Sequence, residues 1–381
     1  ADGSAVSPAD FGSTSGTLTF NEGVVRQVVP VVINGDNLNE IDETFTVTIS
    51  NANNANLPGN DTATVTVQNN DNQPNISIDD VTVTEVSGGG TVSATFTITL
   101  DQPSGQTVTV DYATMDGSAT APGDYTADMN TLTFMPGDTS MSVSITVAGD
   151  DVNEATEGFT VNLSNAVNAM IADGTGAATI NDNDPTAVTL AGPGTLTEGD
   201  MGTVAANFTV DLSVVSEQTI TIDFATAAGT ANAGTDFTSV TQTVTVPAGS
   251  TSVTVPVNIS GDDLSEINED FSASISNAMP TGTGVSLGGT TAQTVTIMDD
   301  DPVSISIDSQ TVTEGSTATY TVSLSGPNGQ MITVDAATMD GSATAGAPSD
   351  YTMNMATLTF GPGETTKTFA VSTADDSVNE R

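Results

Sequence analysis

The chain contains no histidine, cysteine or tryptophan, and only three basic residues, Arg26, Lys367 and Arg381, against 48 acidic ones. Each absence removes a class of chemistry. Without cysteine or histidine there is no disulfide framework, zinc site, thiol nucleophile or imidazole base. With a net charge of −45 the chain has almost no cations to offer nucleic-acid phosphates, and anionic membrane surfaces repel it. Aromatics make up 4%, too few for sugar-stacking platforms. No apolar run approaches the roughly 18 residues of a transmembrane helix. The opening Ala1-Asp2-Gly3 is polar and reads as no secretory leader. Paired carboxylates serve glycosidases, but here they are crowded and repeated rather than set in distinct roles, so no enzyme is expected.

High charge alone would suggest disorder, but 36% of residues are hydrophobic and they alternate with Thr and Ser. Thr107–Tyr112, Met141–Val147 and Thr251–Val257 place Val, Ile or Tyr on one face and mostly Thr or Ser on the other, the period of half-buried strands. Pro136-Gly137-Asp138, Pro247-Ala248-Gly249 and Pro362-Gly363-Glu364 punctuate them as turns. No window carries helical periodicity. The scattered methionines, among them Met115, Met129, Met135, Met141, Met339, Met353 and Met355, read as core and loop fillers.

The dominant feature is a repeat. Asp10, Asp124, Asp236 and Asp350 recur at spacings of 114, 112 and 114 residues. An acidic knot recurs with them: Asp36-Asn37-Leu38-Asn39-Glu40, Asp150-Asp151-Val152-Asn153-Glu154, Asp262-Asp263-Leu264-Ser265-Glu266 and, with one insertion, Asp375 to Glu380. A period this long means an array of similar domains. Short strands and frequent turns over about 110 residues predict tandem immunoglobulin-like antiparallel β-sandwiches arranged end to end. The expected units are a partial one at 1–72, complete ones at 73–185 and 186–301, and a partial one at 302–381, with Pro185 and Pro302 stiffening short junctions. Partial units expose apolar faces and unpaired edges. They mark either a window cut from a longer array or pieces that complete one another between neighbouring copies by head-to-tail strand donation.

The combination of Thr82-Val83-Thr84-Glu85, Asp116-Gly117-Ser118-Ala119-Thr120, Gly123-Asp124-Tyr125, Leu132-Thr133-Phe134, Pro136-Gly137, the knot 150–157 and Asn181-Asp182-Asn183-Asp184-Pro185 resembles the Calx-beta domain, and it recurs along essentially the whole chain. That family occurs in sodium–calcium exchangers and in many bacterial surface proteins. The resemblance implies calcium ligands on the matching loops. In the first complete unit these are Glu85, Asp124, Asp150, Asp151, Glu154, Glu157, Asp182 and Asp184. In the second they are Glu198, Asp236, Asp262, Asp263, Glu266, Glu269, Asp299, Asp300 and Asp301. The leading unit retains Asp10, Asp36, Glu40, Glu43 and Asp71, with Asn37 in place of the second knot aspartate. The trailing unit retains Glu314, Asp350, Asp375, Asp376 and Glu380.

The chemistry of the residues agrees. Calcium takes six to eight hard oxygen ligands in flexible geometry, whereas magnesium prefers a tight octahedron and retains its waters. A single Asp in a turn is an ordinary turn former; a repeated constellation of seven or eight carboxylates suits more than one Ca2+ ion per complete unit. The expectation is an extracellular or cell-surface structural repeat, stiffened by Ca2+ at its junctions into a stalk, fibre or matrix. The alternative is a surface adhesin module whose loops bind a protein or glycan. The partners expected are neighbouring repeats or other copies of the chain.

Overall fold

Alternation along the strands decides which residues form the core. In Thr91–Leu100 the side chains of Ala94, Phe96, Ile98 and Leu100 are buried while Thr95, Thr97 and Thr99 lie on the other face. The same period operates in Ser140–Ala148, where Val143, Ile145 and Val147 are buried. The computed structural model describes residues 1–346 and 349–375. Among these there is no helix, and the chain divides into two compact units. The first comprises 1–151 and 155–183, the second 152–154 and 184 onward.

Within the first unit, one complete sandwich has a four-stranded sheet in the order Met170–Asp173, Asn75–Ile78, Thr91–Leu100, Ser140–Ala148. Its five-stranded partner runs Val81–Thr84, Thr175–Asn181, Glu157–Val167, Val108–Met115, Met129–Phe134. Phe96 and Phe159 meet edge to face between the sheets, with centroids 6.3 Å apart. Residues 1–72 contribute one strand pair, Glu43–Thr48 with Thr62–Val67, and a small core of Ala5, Phe11 and Phe45. Val25, Val28 and Val32 of this segment are exposed.

The second unit repeats the plan. Ser252–Gly261, Gly202–Leu212, Ala187–Ala191 and Ser286–Leu287 form one sheet; Thr195–Thr197, Ala292–Met298, Glu269–Met279, Ile220–Ala228 and Thr241–Val246 form the other. Pro256, opposite Asn207, is tolerated because its strand is a sheet edge. Residues 302–375 form a three-stranded sheet of Ile305–Ile307, Thr317–Leu324 and Thr366–Ser372, and a pair of Ile332–Ala337 with Met355–Phe360.

The all-β sandwich class expected from the sequence is the one observed, with one correction: the sheets are not purely antiparallel. The opening segment of each complete repeat is split between the two sheets. Asn75–Ile78 pairs parallel with Met170–Asp173, and Val81–Thr84 pairs parallel with Thr175–Asn181. Thr195–Thr197 is likewise parallel to Ala292–Met298. The edge strand 170–173 has four exposed residues and therefore no period-two signal. The methionines meet the core-and-loop expectation only in part: Met135, Met339 and Met353 lie in loops, whereas Met115, Met129 and Met355 stand on strands. Met115, Met129, Met135, Met339, Met353 and Met355 are exposed, and of those named Met141 alone packs against a buried core cluster. Hydrophobic character does not say which face of an edge strand a residue takes.

Candidate metal centres

Two structural devices bring carboxylates from distant sequence together. The first is an aromatic clasp. Tyr125 stacks on Phe159 with ring centroids 4.1 Å apart, Phe237 on Phe271 at 4.5 Å, and Phe11 on Phe45 at 4.1 Å. Asp124, Asp236 and Asp10 directly precede the first ring of each pair; Glu157, Glu269 and Glu43 stand two residues before the second. Stacking the rings therefore sets an Asp beside a Glu. Carboxylate oxygens of Asp10, Glu40 and Glu43 lie within 4.8 Å of one another, as do those of Asp236, Glu266 and Glu269. Asp124 and Glu157 are brought equally close. One oxygen of each leading Asp caps its own turn: the Val6, Thr120, Asn232 and Thr344 amides donate to Asp10, Asp124, Asp236 and Asp350 at 2.6–2.7 Å.

The second device is the parallel strand pair. Thr84 is level with Asn181, and Thr197 with Met298, so the next residues, Glu85 with Asp182 and Glu198 with Asp299, are neighbours. The backbone continues the ladder, with the Glu85 amide donating to Asn181 O and the Glu198 amide to Met298 O. In the second unit Glu198, Asp299 and Asp301 gather within 4.8 Å. Thus six of the nine acids expected in the second complete unit are organised as two trios, and Asp262 of the knot stands in the electrostatic field of both. Asp262 raises the proton affinity of Glu198 and of Glu266 alike.

The remaining expected ligands surround these centres. Asp262 and Asp36 hold their own knots by accepting the Leu264 and Leu38 amides, each at 2.8 Å. Asp299 accepts from the Glu266 amide at 2.9 Å, Asp300 from the Gly199 amide at 3.0 Å, and Asp151 from the Gly88 amide at 2.9 Å. Asp263 raises the proton affinity of Asp301, Asp150 that of Glu85, and Asp71 that of Glu40. Glu154 and Asp184 belong to the segments that pack with the second compact unit. In the trailing segment Glu314 is exposed, and Asp375 lies against Gly315. Asp376 and Glu380 lie outside the described residues. Asp200, which was not foreseen, adds its charge beside Asp301. Its position two residues after Glu198 was the available signal.

Electrostatics separates these acids from those that serve the fold. Burial first, then the Asp182 hydrogen bond and the charges of Asp182 and Asp150, push Glu85 up to about 7 against the opposing Asn183 backbone bond. Burial and the charges of Asp262, Glu266, Asp299 and Asp301 push Glu198 up to about 7. Glu269 reaches about 7 through burial and its hydrogen bond and charge interaction with Asp236. Glu40, Glu43, Glu266 and Asp301 are also raised, burial leading in each case. By contrast, Asp111 and Asp223 are lowered, each by hydrogen bonds from a threonine hydroxyl and an asparagine amide. Those bonds brace the register shift where Val108–Met115 and Ile220–Ala228 pair with the next strand.

The donor set fits a hard cation. Every side chain in the trios offers carboxylate oxygen, and Glu85 Oε1 and Asp301 Oδ2 are enclosed without any hydrogen-bond partner. Among the described residues no Lys or Arg is seen in an ion pair with Asp236, Glu266, Glu269, Glu198, Asp299, Asp301, Asp10, Glu40 or Glu43. Among the described residues the ion pair present is Lys367 with Glu364, at 2.7 Å. Two like charges about 4 Å apart cost about 4 kcal/mol at an effective dielectric near 20, and a divalent ion reverses that repulsion.

A sequence profile of the Calx-beta domain matches residues 1–71, 69–186, 181–301 and 299–381. Sodium/calcium exchanger 1 of Bos taurus is 32% identical over 182 residues, covering 43% of this chain and 19% of the exchanger. Sodium/calcium exchanger 3 of Homo sapiens is 43% identical over 60 residues, covering 16% of this chain and 6% of that protein. The chain's match spans about a fifth of the length of the Bos taurus exchanger. Among solved structures, CBD12 from CALX1.2 is 17% identical with a TM-score of 0.28, covering 58% of this chain and 99% of that one. The I-band fragment I67-I69 from titin is 10% identical with a TM-score of 0.28, covering 80% of this chain and 88% of that one.

Proposed function

Since the chain belongs to the Calx-beta family along its whole length, we propose that it is a calcium-binding repeat protein whose ions neutralise the carboxylate trios and stiffen the array. The observation that carries this reading is the trio Asp236, Glu266 and Glu269, with oxygens within 4.8 Å and, among the described residues, no cationic side chain in ion-pair contact. Such a group is strained by its own charge until a cation enters. Asp236, Glu266 and Glu269 would hold one ion of the second complete unit, and Glu198, Asp299 and Asp301 a second. Asp10, Glu40 and Glu43 would hold one in the leading unit. Calcium there supplies charge neutralisation and cross-linking of loops, and no reaction is assigned to it.

The units in this reading are 1–72, 73–185, 186–301 and 302–381. The proposed setting is outside a cell, as a stalk, fibre or matrix, where calcium in the millimolar range keeps loop sites filled. A surface of net −45 suits a spacer that avoids membranes and nucleic acid. The test is calorimetric titration of the calcium-free chain, with thermal melting in calcium and in chelator. Saturating calcium at about 100 times its dissociation constant adds about 2.7 kcal/mol per independent site. Absence of binding heat together with superimposable melting curves rejects the proposal.

A further inference from the structure

The acidic knots make a second set of contacts, whose hydrogen bonds run between backbone and neutral side chains, with Glu40 lying against Gly105 and Glu266 against Gly329. Asn39 forms a parallel bridge with Ser104, Asn153 with Ser216, and Ser265 with Asn328. The Gly105, Glu217 and Gly329 amides donate to the carbonyls of Asn39, Asn153 and Ser265 at 3.1, 3.0 and 2.9 Å. In return, the Asn153 amide donates to Val215 O at 2.9 Å and the Ser265 amide to Pro327 O at 3.3 Å. Behind each receiving loop a turn glycine closes the arrangement. The Gly137, Gly249 and Gly363 amides donate to the carbonyls of Ser104, Ser216 and Asn328 at 2.9, 2.8 and 2.7 Å.

Five of the six bridged side chains are enclosed, and Ser265 is half-buried. Asn153, Ser216 and Asn328 are at most 1% exposed, and Ser104 and Asn39 are 2% and 6% exposed. Ser216 Oγ donates to Asn153 Oδ1 at 3.0 Å, and Gln106 Nε2 donates to Asn39 Oδ1 at 3.0 Å. The identities at the three bridges are complementary. Where the knot carries Asn, as at 39 and 153, the receiving loop carries Ser; where the knot carries Ser, at 265, the loop carries Asn. At Asn153–Ser216 the larger amide and the smaller hydroxyl share a closed space; at Asn39 the Ser104 hydroxyl donates to the Asn39 carbonyl at 3.3 Å, and at Ser265 the Asn328 amide turns to Glu364 O at 3.4 Å.

We propose that this Asn–Ser pair is a size-complementary joint that determines which repeat fits after which. A knot bearing Asn receives a following loop bearing Ser, and a knot bearing Ser receives one bearing Asn. Two amides overfill the space; two hydroxyls leave a void in it and unpaired polar groups around it. Specificity then comes from rejecting the wrong neighbour as much as from fitting the right one. The partner that this surface fits is another repeat of the same kind. The joint's hydrogen bonds run through backbone and neutral side chains, and comparison of calcium with chelator separates them from the neighbouring Glu40 and Glu266.

The test uses the full chain carrying Ser265→Asn, Asn328→Ser, or both, in calcium and in chelator, and reads hydrogen exchange of the Gly329 amide. Each single change is expected to lower protection by about tenfold, and the double change to return it to within about threefold of the parent. Additive losses in the double variant, or unchanged protection in the singles, overturn the proposal. If Ser265→Asn alone prevents folding, Asn328→Ser in the same chain must restore it, and failure to do so overturns the proposal as well. The mirror pair, Asn39→Ser with Ser104→Asn, read at the Gly105 amide, must show the same non-additivity.

Discussion

Tyr125 donates its hydroxyl to Asp116 at 2.5 Å, and Tyr351 makes the same bond to Asp340 at 2.6 Å. The second complete repeat has neither partner, because Phe237 stands in the tyrosine's place and Ala228 in the aspartate's. Loss of donor and acceptor together leaves no buried group unsatisfied, which is why the exchange is tolerated. Asp116 and Asp340 thus serve the fold, although they belong to the same acidic loops as Asp124 and Asp350.

Breaking only one half of this pair is a different matter. Tyr125→Phe is expected to destabilise the chain by about 1 kcal/mol while leaving calcium stoichiometry unchanged, because Phe237 already stacks on Phe271 without a hydroxyl. Denaturant midpoints and a calcium titration read the two effects separately. Loss of a bound ion in this variant would place Tyr125 in the metal machinery and contradict the assignment.

The calcium-free chain has a pH dependence set by its raised carboxylates. Glu85, Glu198 and Glu269 titrate near 7 when folded and near 4.5 when unfolded, so between those values the folded state binds more protons. Stability from these groups is present below about 4.5 and is lost as pH rises through about 7. Melting temperature in chelator should therefore fall from pH 5 to pH 8, and saturating calcium should abolish or reverse that slope. A melting temperature in chelator that rises across the same interval refutes this account.

Much of this was legible in the sequence, for reasons that particular residues make plain. Alternation in Met141–Val147 located a strand because half its residues had to face the core. Repetition of Asp124, Asp236 and the knots located the carboxylate loops because equivalent positions in a repeat share one fold. What escaped was whatever depends on pairing rather than period. The parallel ladder that sets Glu198 beside Asp299 is too short, at three residues, to carry a pattern. The division into two trios follows from the Phe237–Phe271 stack, which joins segments more than 30 residues apart. Asn39, Asn153 and Ser265 were visible inside the knots, but their joint role needed the receiving loops in view.

Gly261 enters the knot at a point where there is no room for a side chain. A Cβ there would stand 2.0 Å from Gly199 O and 2.7 Å from Glu198 O, so backbone must move. Gly261→Ala is expected to displace Asp262 relative to Glu198, costing about 1–3 kcal/mol and weakening the ions of this unit by about tenfold. Calcium binding at the leading unit, measured in the same titration, should keep its affinity. A uniform loss at every unit would point to general unfolding instead.

The sharpest consequence of the trios is a change of sign. Glu269 hydrogen-bonds Asp236 and stands in the field of Glu266 and Asp270, with burial adding to the cost of its charge. Glu269→Gln keeps the shape, removes one repelling charge and gives Asp236 an amide donor. In chelator at pH 8 the variant should melt higher than the parent. In calcium it should melt lower, because an ion loses a charged ligand and affinity falls by about tenfold or more. A merely structural glutamate would shift both curves the same way, and a solvated turn residue would shift neither. Opposite shifts in the two media are the outcome that only a cation-binding role produces, and parallel shifts would remove Glu269 from the site.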